Sequence, residues 1–310
     1  MMEKNAKIYV AGHTGLVGSA IVRALFAHGY NHLILPTHAE LDLTNQAKTD
    51  QFFEKEKPTY VFDAAALVGG IKSNSQSPAD FFYVNMEIEN NLLWSAYRHG
   101  VKKLLFLGSA CMYPKECAQP MKEEELLTGL PEVTNEGYAL AKVCGSRLCG
   151  YLRRQYGVDF ISTIPANAYG PGDSFDPEHS HVIPALIRKY HEAKLNNDPS
   201  VTLWGTGTAL REFIYSDDLA EGCLFLMEHY SGEQPLNMGT GEEVSMLELS
   251  QMIRRIVGYQ GAVVCDASKP DGMMRRIVDS SRIRALGWYP SVSLVTGLEH
   301  MYFNYLKGRN

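Results

Sequence analysis

The sequence predicts a doubly wound α/β fold, a parallel sheet with a smaller α/β lobe beside it, on three observations. Short apolar runs alternate with stretches of helical periodicity through the first half of the chain. Each run is apolar at consecutive positions, as a strand covered on both faces must be. A glycine-rich turn joins the first run to the first helical stretch. The 310 residues, 45% of them apolar, suffice for two lobes folded as one unit.

In chain order, residues 7–11 (KIYVA) read as the first strand, followed by Gly12 and Gly15 and then by Val17, Ile21 and Leu25 at helical spacing. Further strands are expected over 32–35, 60–64, 103–107 and 159–165, and long helices over 84–99 and 137–156. After Tyr169 the pattern breaks. Residues 170–181, rich in Gly, Pro, Asp and His, read as a loop over a site, and later elements are shorter and less regular. Residues 1–170 are therefore expected to form a cofactor-binding domain to which the chain returns at about 212–241, with 171–211 and 242–310 mainly forming a substrate-binding lobe.

Charge and composition exclude several classes. A formal charge of −6 without a basic run argues against a nucleic-acid partner, which needs clustered cations. No apolar run is long enough to cross a membrane, and residues 1–7, charged and leading straight into a strand, do not read as a signal peptide. Cys111, Cys117, Cys144, Cys149, Cys223 and Cys265 form no C-x-x-C pair and no zinc spacing, so no metal is expected. A reducing cytoplasm with mostly space-filling thiols is the expected setting.

Gly12-x-x-Gly15-x-x-Gly18 sits where the first strand turns into the first helix. Glycines there permit a tight turn and a close approach of a dinucleotide diphosphate, toward which the helix N-terminus points. A purely structural turn is the alternative. Asp42, after the second strand, suits an adenine amino group or, equally, a helix N-cap.

Tyr138 and Lys142 lie four apart on the helix expected over 137–156, hence on one face. The lysine charge favours phenolate and so is expected to lower the tyrosine pKa. A tyrosine so placed can protonate a carbonyl oxygen as hydride reaches the carbon. Ser109, just past the fourth strand, can hold the same oxygen.

The glycine loop, Ser109, Tyr138 and Lys142, in this order, resemble the extended short-chain dehydrogenase/reductases, whose cofactor domain is Rossmann-type. Residues 64–71 (AAALVGGI), 108–115 (GSACMYPK), 180–186 (SHVIPAL), 201–213 and 266–272 (DASKPDG) are similar to the GDP-L-fucose synthase branch of that family. The similarity runs from Ile8 to Tyr305. It implies NADP as cofactor, with NADPH as reductant, and a GDP-4-keto-6-deoxy-sugar as substrate, epimerised at C3 and C5 and then reduced at C4. It also implies Cys111 as the base and His181 as the acid of the epimerisation; a buried small hydrophobe and a structural histidine are the alternatives. For the cofactor it implies Gly12, Thr14, Gly15, Leu16, Val17, Gly18, His38, Asp42, Ala65, Leu107, Lys142, Pro165, Asn167 and His181, and around GDP it implies Lys189, Trp204, Arg211 and Asp271.

The chain departs from its relatives at several places. Where they often carry arginines for the 2′-phosphate, it has Thr14 and Pro36, followed by Thr37 and His38; yet no Asp or Glu ends the second strand to hold a free 2′-hydroxyl, so NADP remains the expectation. Leu67 stands for a lysine, Ala110 for a serine and Asp176 for a histidine. These departures keep open a related GDP-keto-sugar, a dideoxy-hexose or a heptose. A redox-neutral nucleotide-sugar epimerase or dehydratase is a further alternative, but a dehydratase wants an acid beside the serine, where Ala110 and Cys111 stand. A regulator without turnover fits poorly with an intact Ser109, Tyr138 and Lys142. Pairing of the two long helices across a two-fold axis is expected to make a homodimer.

Overall fold

Alternation along the strands decides which side of the sheet each residue serves, and it can be followed strand by strand in a computed structural model describing residues 2–176, 180–269 and 271–308. The first half of the chain forms β1 (Ile8–Ala11), α1 (Leu16–Ala27), β2 (Leu33–Ile34), α2 (Gln46–Glu56), β3 (Tyr60–Asp63), α3 (Ile71–Gln76), α4 (Pro78–Arg98), β4 (Lys103–Leu107), α5 (Glu136–Tyr156) and β5 (Asp159–Pro165). Ile8, Val10, Phe62, Leu105 and Ile161 point to a core shared with Ile21 of α1, while Tyr9, Val61, Leu104, Phe106 and Phe160 point to a second core with Phe53, Leu92, Leu93 and Leu152. All ten strand residues are buried, which is why the sequence shows continuous apolar runs rather than alternation. Each buried aromatic or branched side chain contributes roughly 1.5–3 kcal/mol.

The remainder forms β6 (Asn167–Tyr169), α6 (Val182–Asn196), β7 (Ser200–Trp204), β8 (Leu210–Arg211), β9 (Phe213–Tyr215), α7 (Ser216–His229), β10 (Leu236–Met238), β11 (Val244–Ser245), α8 (Met246–Val257), β12 (Ala262–Asp266), β13 (Arg275–Arg276), α9 (Ser281–Ala285) and α10 (Leu294–Lys307). The main sheet has the order β10-β5-β4-β3-β1-β2 and is parallel throughout, as expected of a Rossmann-type fold. The expected strand over 32–35 contracts to Leu33–Ile34, an edge strand with one neighbour, and the helix expected from 84 begins at Pro78, whose fixed φ suits a first turn. A third core is built from Tyr190 and Ile187 of α6, Leu249 and Ile253 of α8 and Leu298 and Met301 of α10. The sheets outside the main one are small, β11-β8-β13, β12-β7 and β6-β9. Of the loop expected over 170–181, residues 177–179 lie outside the described residues, as does Pro270 of the 266–272 segment.

Because every strand of the main sheet runs the same way, Ala11, Asp63, Leu107, Pro165 and Met238 all end at one edge. The loops leaving that edge carry the glycine turn, Ser109 and Asn167, the usual place for a ligand in an open parallel sheet.

Candidate active site

The glycine turn is tight because nothing larger fits. Gly12 has φ +73°, and a β-carbon there would lie 2.5 Å from the Ala64 carbonyl oxygen. The Gly15 amide donates to the Gly12 carbonyl at 3.0 Å, and a β-carbon on Gly18 would run into that same carbonyl. No side chain caps Gly15 at the start of α1, so the first amides of the helix, those of Leu16 and Val17 among them, are left for an outside acceptor. The loop after Tyr169 reaches over this point: a β-carbon on Gly172 would sit 3.0 Å from Ser19 Oγ and 3.7 Å from Leu16 Cα. The cradle fits a dinucleotide diphosphate. Thr14, within the turn, and His38, after β2, are both exposed. Asp42 does not cap a helix. Its Oδ1 accepts from the amide and hydroxyl of Thr44, at 3.0 and 2.7 Å, which holds the carboxyl below its usual range, and Asn45 caps α2 instead. Ala65 and Leu107 line the sheet edge, buried; Pro165 closes β5, and Asn167 Nδ2 donates to the Glu212 carbonyl at 2.8 Å.

Ser109 starts a short 3₁₀ turn, Ala110–Met112, in which its Oγ accepts from the Cys111 amide at 3.4 Å. The Cys111 thiol is carried on the same turn, within reach of the serine hydroxyl. Cys111 is 3% exposed; burial pushes its thiol up, while the Ser109 hydroxyl, Arg276 and Lys142 pull it down. All six cysteines are free.

Tyr138 and Lys142 share the first turns of α5, and Gly137 lets that helix abut the Pro78 carbonyl of α4. The ammonium of Lys142 lies 5.9 Å from the Tyr138 ring centre and 4.6 Å from that of Phe106. Here the structure corrects the sequence. The lysine does pull the phenol toward ionisation, but burial outweighs it and pushes Tyr138 up to about 12. The lysine is also already paired: its Nζ lies 3.2 Å from Glu89 Oε1, with both side chains almost fully buried. Burial works against the ammonium, yet Glu89, Tyr138 and Asp63 together hold Lys142 above its usual range. Neither Glu89 nor Asp63 stands out in the sequence as a site residue. Glu89 sits on the buried stripe of α4 with Asn85, Leu92, Leu93 and Ala96, so a charge on an apolar face was the available signal. Asn85, fully buried, clamps the 67–70 loop through the amide and carbonyl of Leu67, at 2.9 and 3.0 Å.

His181 precedes α6, half exposed, with Nδ1 3.0 Å from Oδ1 of the buried Asp173. That carboxylate raises the imidazole above its usual range against the opposing effect of burial, and it directs Nε2 away from Asp173. Asp173 was not picked out by the sequence; the signal was a carboxylate in the loop eight residues before the histidine.

Arg211 on β8 and Arg276 on β13 are register partners on adjacent parallel strands. Arg276 was missed because a two-residue strand leaves no periodic signal. Burial and then the neighbouring guanidinium bring Arg211 down to about 10, and the buried Nε of Arg276 has no hydrogen-bond partner. Two close cations short of acceptors can hold a polyanion. Asp271 accepts from the amide and hydroxyl of Thr206, at 2.7 and 2.9 Å, and its backbone carbonyl accepts from Arg211 at 3.4 Å. Trp204, 69% exposed, ends β7, with the Lys269 ammonium 5.9 Å from its ring centre. Lys189 braces α6 on β7, donating to the Thr202 carbonyl at 2.5 Å.

Comparison with known proteins places this geometry among relatives. Residues 8–239 match the model of the NAD dependent epimerase/dehydratase family. GDP-L-fucose synthase 1 of Arabidopsis thaliana is 54% identical over 307 residues, covering 99% of this chain and 95% of that protein. A GDP-6-OMe-4-keto-L-xylo-heptose reductase from C. jejuni superposes with a TM-score of 0.94 at 38% identity, over 100% of this chain and 99% of that one. A GDP-L-fucose synthetase from Naegleria fowleri bound to NADP superposes with a TM-score of 0.92 at 28% identity, over 100% and 96% of the two chains.

Proposed function

The chain belongs to the NAD dependent epimerase/dehydratase family, and from that premise we propose that it makes GDP-L-fucose: it epimerises C3 and C5 of GDP-4-keto-6-deoxy-D-mannose and reduces the C4 ketone with NADPH. NADPH supplies the hydride. The observation that carries the reading is Cys111 on the same turn as Ser109, beside Tyr138 and Lys142, so that a thiol and a carbonyl-reducing set face one substrate. The residues of the main sheet hold the cofactor, with the diphosphate on the glycine turn, and the second lobe holds the GDP.

Ser109 donates to the C4 oxygen and draws electron density from the ketone, which acidifies the protons on C3 and C5. Cys111 takes such a proton as thiolate, and His181, held above its usual range by Asp173, returns one from the opposite face. Once the configuration is set, Tyr138 gives its phenolic proton to O4 as the carbon is reduced. The assay is direct: the purified chain should oxidise NADPH only with the keto-sugar present, one equivalent per GDP-L-fucose formed. No NADPH oxidation with this substrate would overturn the reading. A second reading, reduction of a related GDP-4-keto-sugar, is favoured by the likeness to the C. jejuni heptose reductase and by the apolar Leu67, partly exposed on the clamped loop. A higher kcat/KM with a GDP-4-keto-heptose in the same assay would establish it.

Arg211 and Arg276 bind the diphosphate, Trp204 and Asp271 the nucleoside end, and Lys189 the rim. Removing a charge-assisted hydrogen bond costs about 1.5–3 kcal/mol. Arg276→Ala should therefore raise KM for the GDP-sugar about 10- to 100-fold while the KM for NADPH stays within about twofold. An unchanged sugar KM would remove Arg276 from the site.

We further place a homodimer on the outer faces of α4 and α5, where Trp94 and Tyr151 are 42% and 49% exposed and Trp94 rests edge-on against Tyr97 and Tyr156. Sedimentation should give a dimer for the wild type and a monomer for a Trp94→Glu, Tyr151→Glu variant; a dimeric variant would move the interface elsewhere. The chain works in the reducing cytoplasm, in keeping with its free thiols. Among the described residues no helix is long and apolar enough to cross a membrane.

A further inference from the structure

The acid of the epimerisation stands where a cation is disfavoured. His181 is the residue from which α6 starts, its backbone extended and its side chain capping nothing. A helix N-terminus works against a positive charge beside it, and so does burial. Yet two epimerisations in one turnover require the same imidazole to arrive charged twice.

The offsetting charge comes from eight residues back along the chain. Asp173 Oδ1 accepts from His181 Nδ1 at 3.0 Å and from the Ser174 amide at 2.9 Å. The Asp173 side chain is 4% exposed, against 50% for the imidazole. Its Oδ2 is buried and has no hydrogen-bond partner among the described residues. The carboxylate is therefore sealed from water on its own side and open only toward the ring.

The turn that carries Asp173 is braced on both flanks. The Asp173 amide donates to the Gly170 carbonyl at 3.2 Å. Gly170, at φ +152°, lies so close to Ser216, the first residue of α7, that a β-carbon would come within 2.1 Å of its Oγ. Gly172 lies on Leu16 and Ser19 of α1. Past the carboxylate, the Phe175 carbonyl accepts from Arg188 Nη1 of α6 at 3.1 Å, and the Phe175 ring stands 4.7 Å, centre to centre, from that of Tyr305 on α10. A carboxylate on a turn braced by four helices does not follow the imidazole; the imidazole must come to it. Arg188 is also bound to Glu192, and Arg23 of α1 to Asp217 of α7; Asp173 is the charge that raises the imidazole.

We propose that Asp173 is a positioning residue that makes His181 an acid usable twice: Nδ1–H stays on the carboxylate through both epimerisations, and Nε2 alone gives up and regains a proton. At each carbon the C–H bond breaks toward the Cys111 thiolate, the Nε2–H bond of the imidazolium breaks, and the new C–H bond forms on the opposite face. The neutral ring, its remaining proton on Nδ1, then takes another at Nε2 from water, which a half-exposed side chain can reach, and the thiol passes the proton it took to water before the next carbon reacts. Asp173 itself exchanges nothing. A free imidazole would return in either tautomer and either orientation; one pinned at Nδ1 returns in one.

The inference rests on His181 being the acid, and its test separates the two. In protein with ¹⁵N-labelled histidine, bound NADP⁺ and no sugar, with His181 assigned through His181→Gln, the neutral ring should carry its proton on Nδ1, the form that free histidine disfavours. In Asp173→Asn the side-chain amide can donate to Nδ1, so the neutral ring should change to the Nε2–H form and the imidazolium should lose its proton at lower pH. Turnover in D₂O reads the consequence. Asp173→Asn should slow inversion at C3 and C5 about tenfold or more, and the product should move from GDP-L-fucose toward GDP-rhamnose, because Ser109, Tyr138 and Lys142 still reduce the ketone. A merely structural Asp173 would lower inversion and reduction together and leave the tautomer as in wild type, which would overturn the inference; so would an Nε2–H ring in the wild type. Should Asp173→Asn not fold, the wild-type spectrum decides. That spectrum needs no substrate, so failure of the wild type to oxidise NADPH with this sugar defeats the assigned reaction, while the pairing stands or falls by the tautomer.

Discussion

Tyr138→Phe is expected to lower the rate of ketone reduction by about two to four orders of magnitude, the scale of a lost general acid. The change removes one oxygen and leaves the ring. Lys142 keeps its pairing with Glu89, at 3.2 Å, and its place over Phe106, so α5 and the sheet beneath it lose no support. Affinity for NADPH, set by the glycine turn, should stay within about twofold. Ser109 would still polarise the ketone, so exchange of the C3 and C5 protons with solvent should persist while reduction fails. Single-turnover absorbance of NADPH reads the one and NMR in D₂O the other. A folded variant that oxidises NADPH at a near-normal rate would show that the proton comes from another group.

Cys111→Ser is expected to slow proton abstraction at C3 and C5 by at least about a hundredfold, because an alcohol is far less acidic than a thiol and gives almost no alkoxide near neutrality. Ser109, Tyr138 and Lys142 remain, so the unepimerised ketone is still reduced and the product becomes GDP-rhamnose or a partly epimerised sugar. The pH dependence follows from the directions of the two shifts. Burial raises the Cys111 thiol, so the thiolate fraction, and with it the exchange rate, should climb as pH rises through neutrality. Asp173 raises His181, so the returning acid stays charged over part of that climb, and the rate should turn down only above the elevated histidine range. Cys111→Ser should lose the rising limb. His181→Gln should instead let abstraction proceed and spoil the reprotonation, giving deuterium uptake of mixed configuration. Wild-type exchange and full label in Cys111→Ser would make Cys111 mere packing.

The strands of the first half were legible because each is buried on two faces and so carries an uninterrupted apolar run. β10 was not, since Leu-Asn-Met holds too little pattern to distinguish a three-residue strand from a loop. The same brevity hid Arg276: β8 and β13 are two residues each, held by pairing with one another, and only that register sets the second guanidinium beside Arg211. Tyr138 and Lys142 were legible because four residues on a helix define a face. The sign of the phenol shift was not, because burial of the ring outweighs the lysine, and that burial is set by the packing of distant elements. Asp42 was read as adenine contact or helix cap; Asn45 takes the cap, and Thr44 holds one oxygen of the Asp42 carboxylate, Oδ1, a local bond that sequence alone does not rank against a cap.

The central claim, one site that epimerises twice and then reduces, is tested most directly by converting GDP-4-keto-6-deoxy-D-mannose with NADPH in D₂O and reading the product by NMR. The account predicts GDP-L-fucose with solvent deuterium at C3 and C5 and protium from NADPH at C4. GDP-rhamnose, or a fully reduced sugar with no solvent label at C3 and C5, would contradict it.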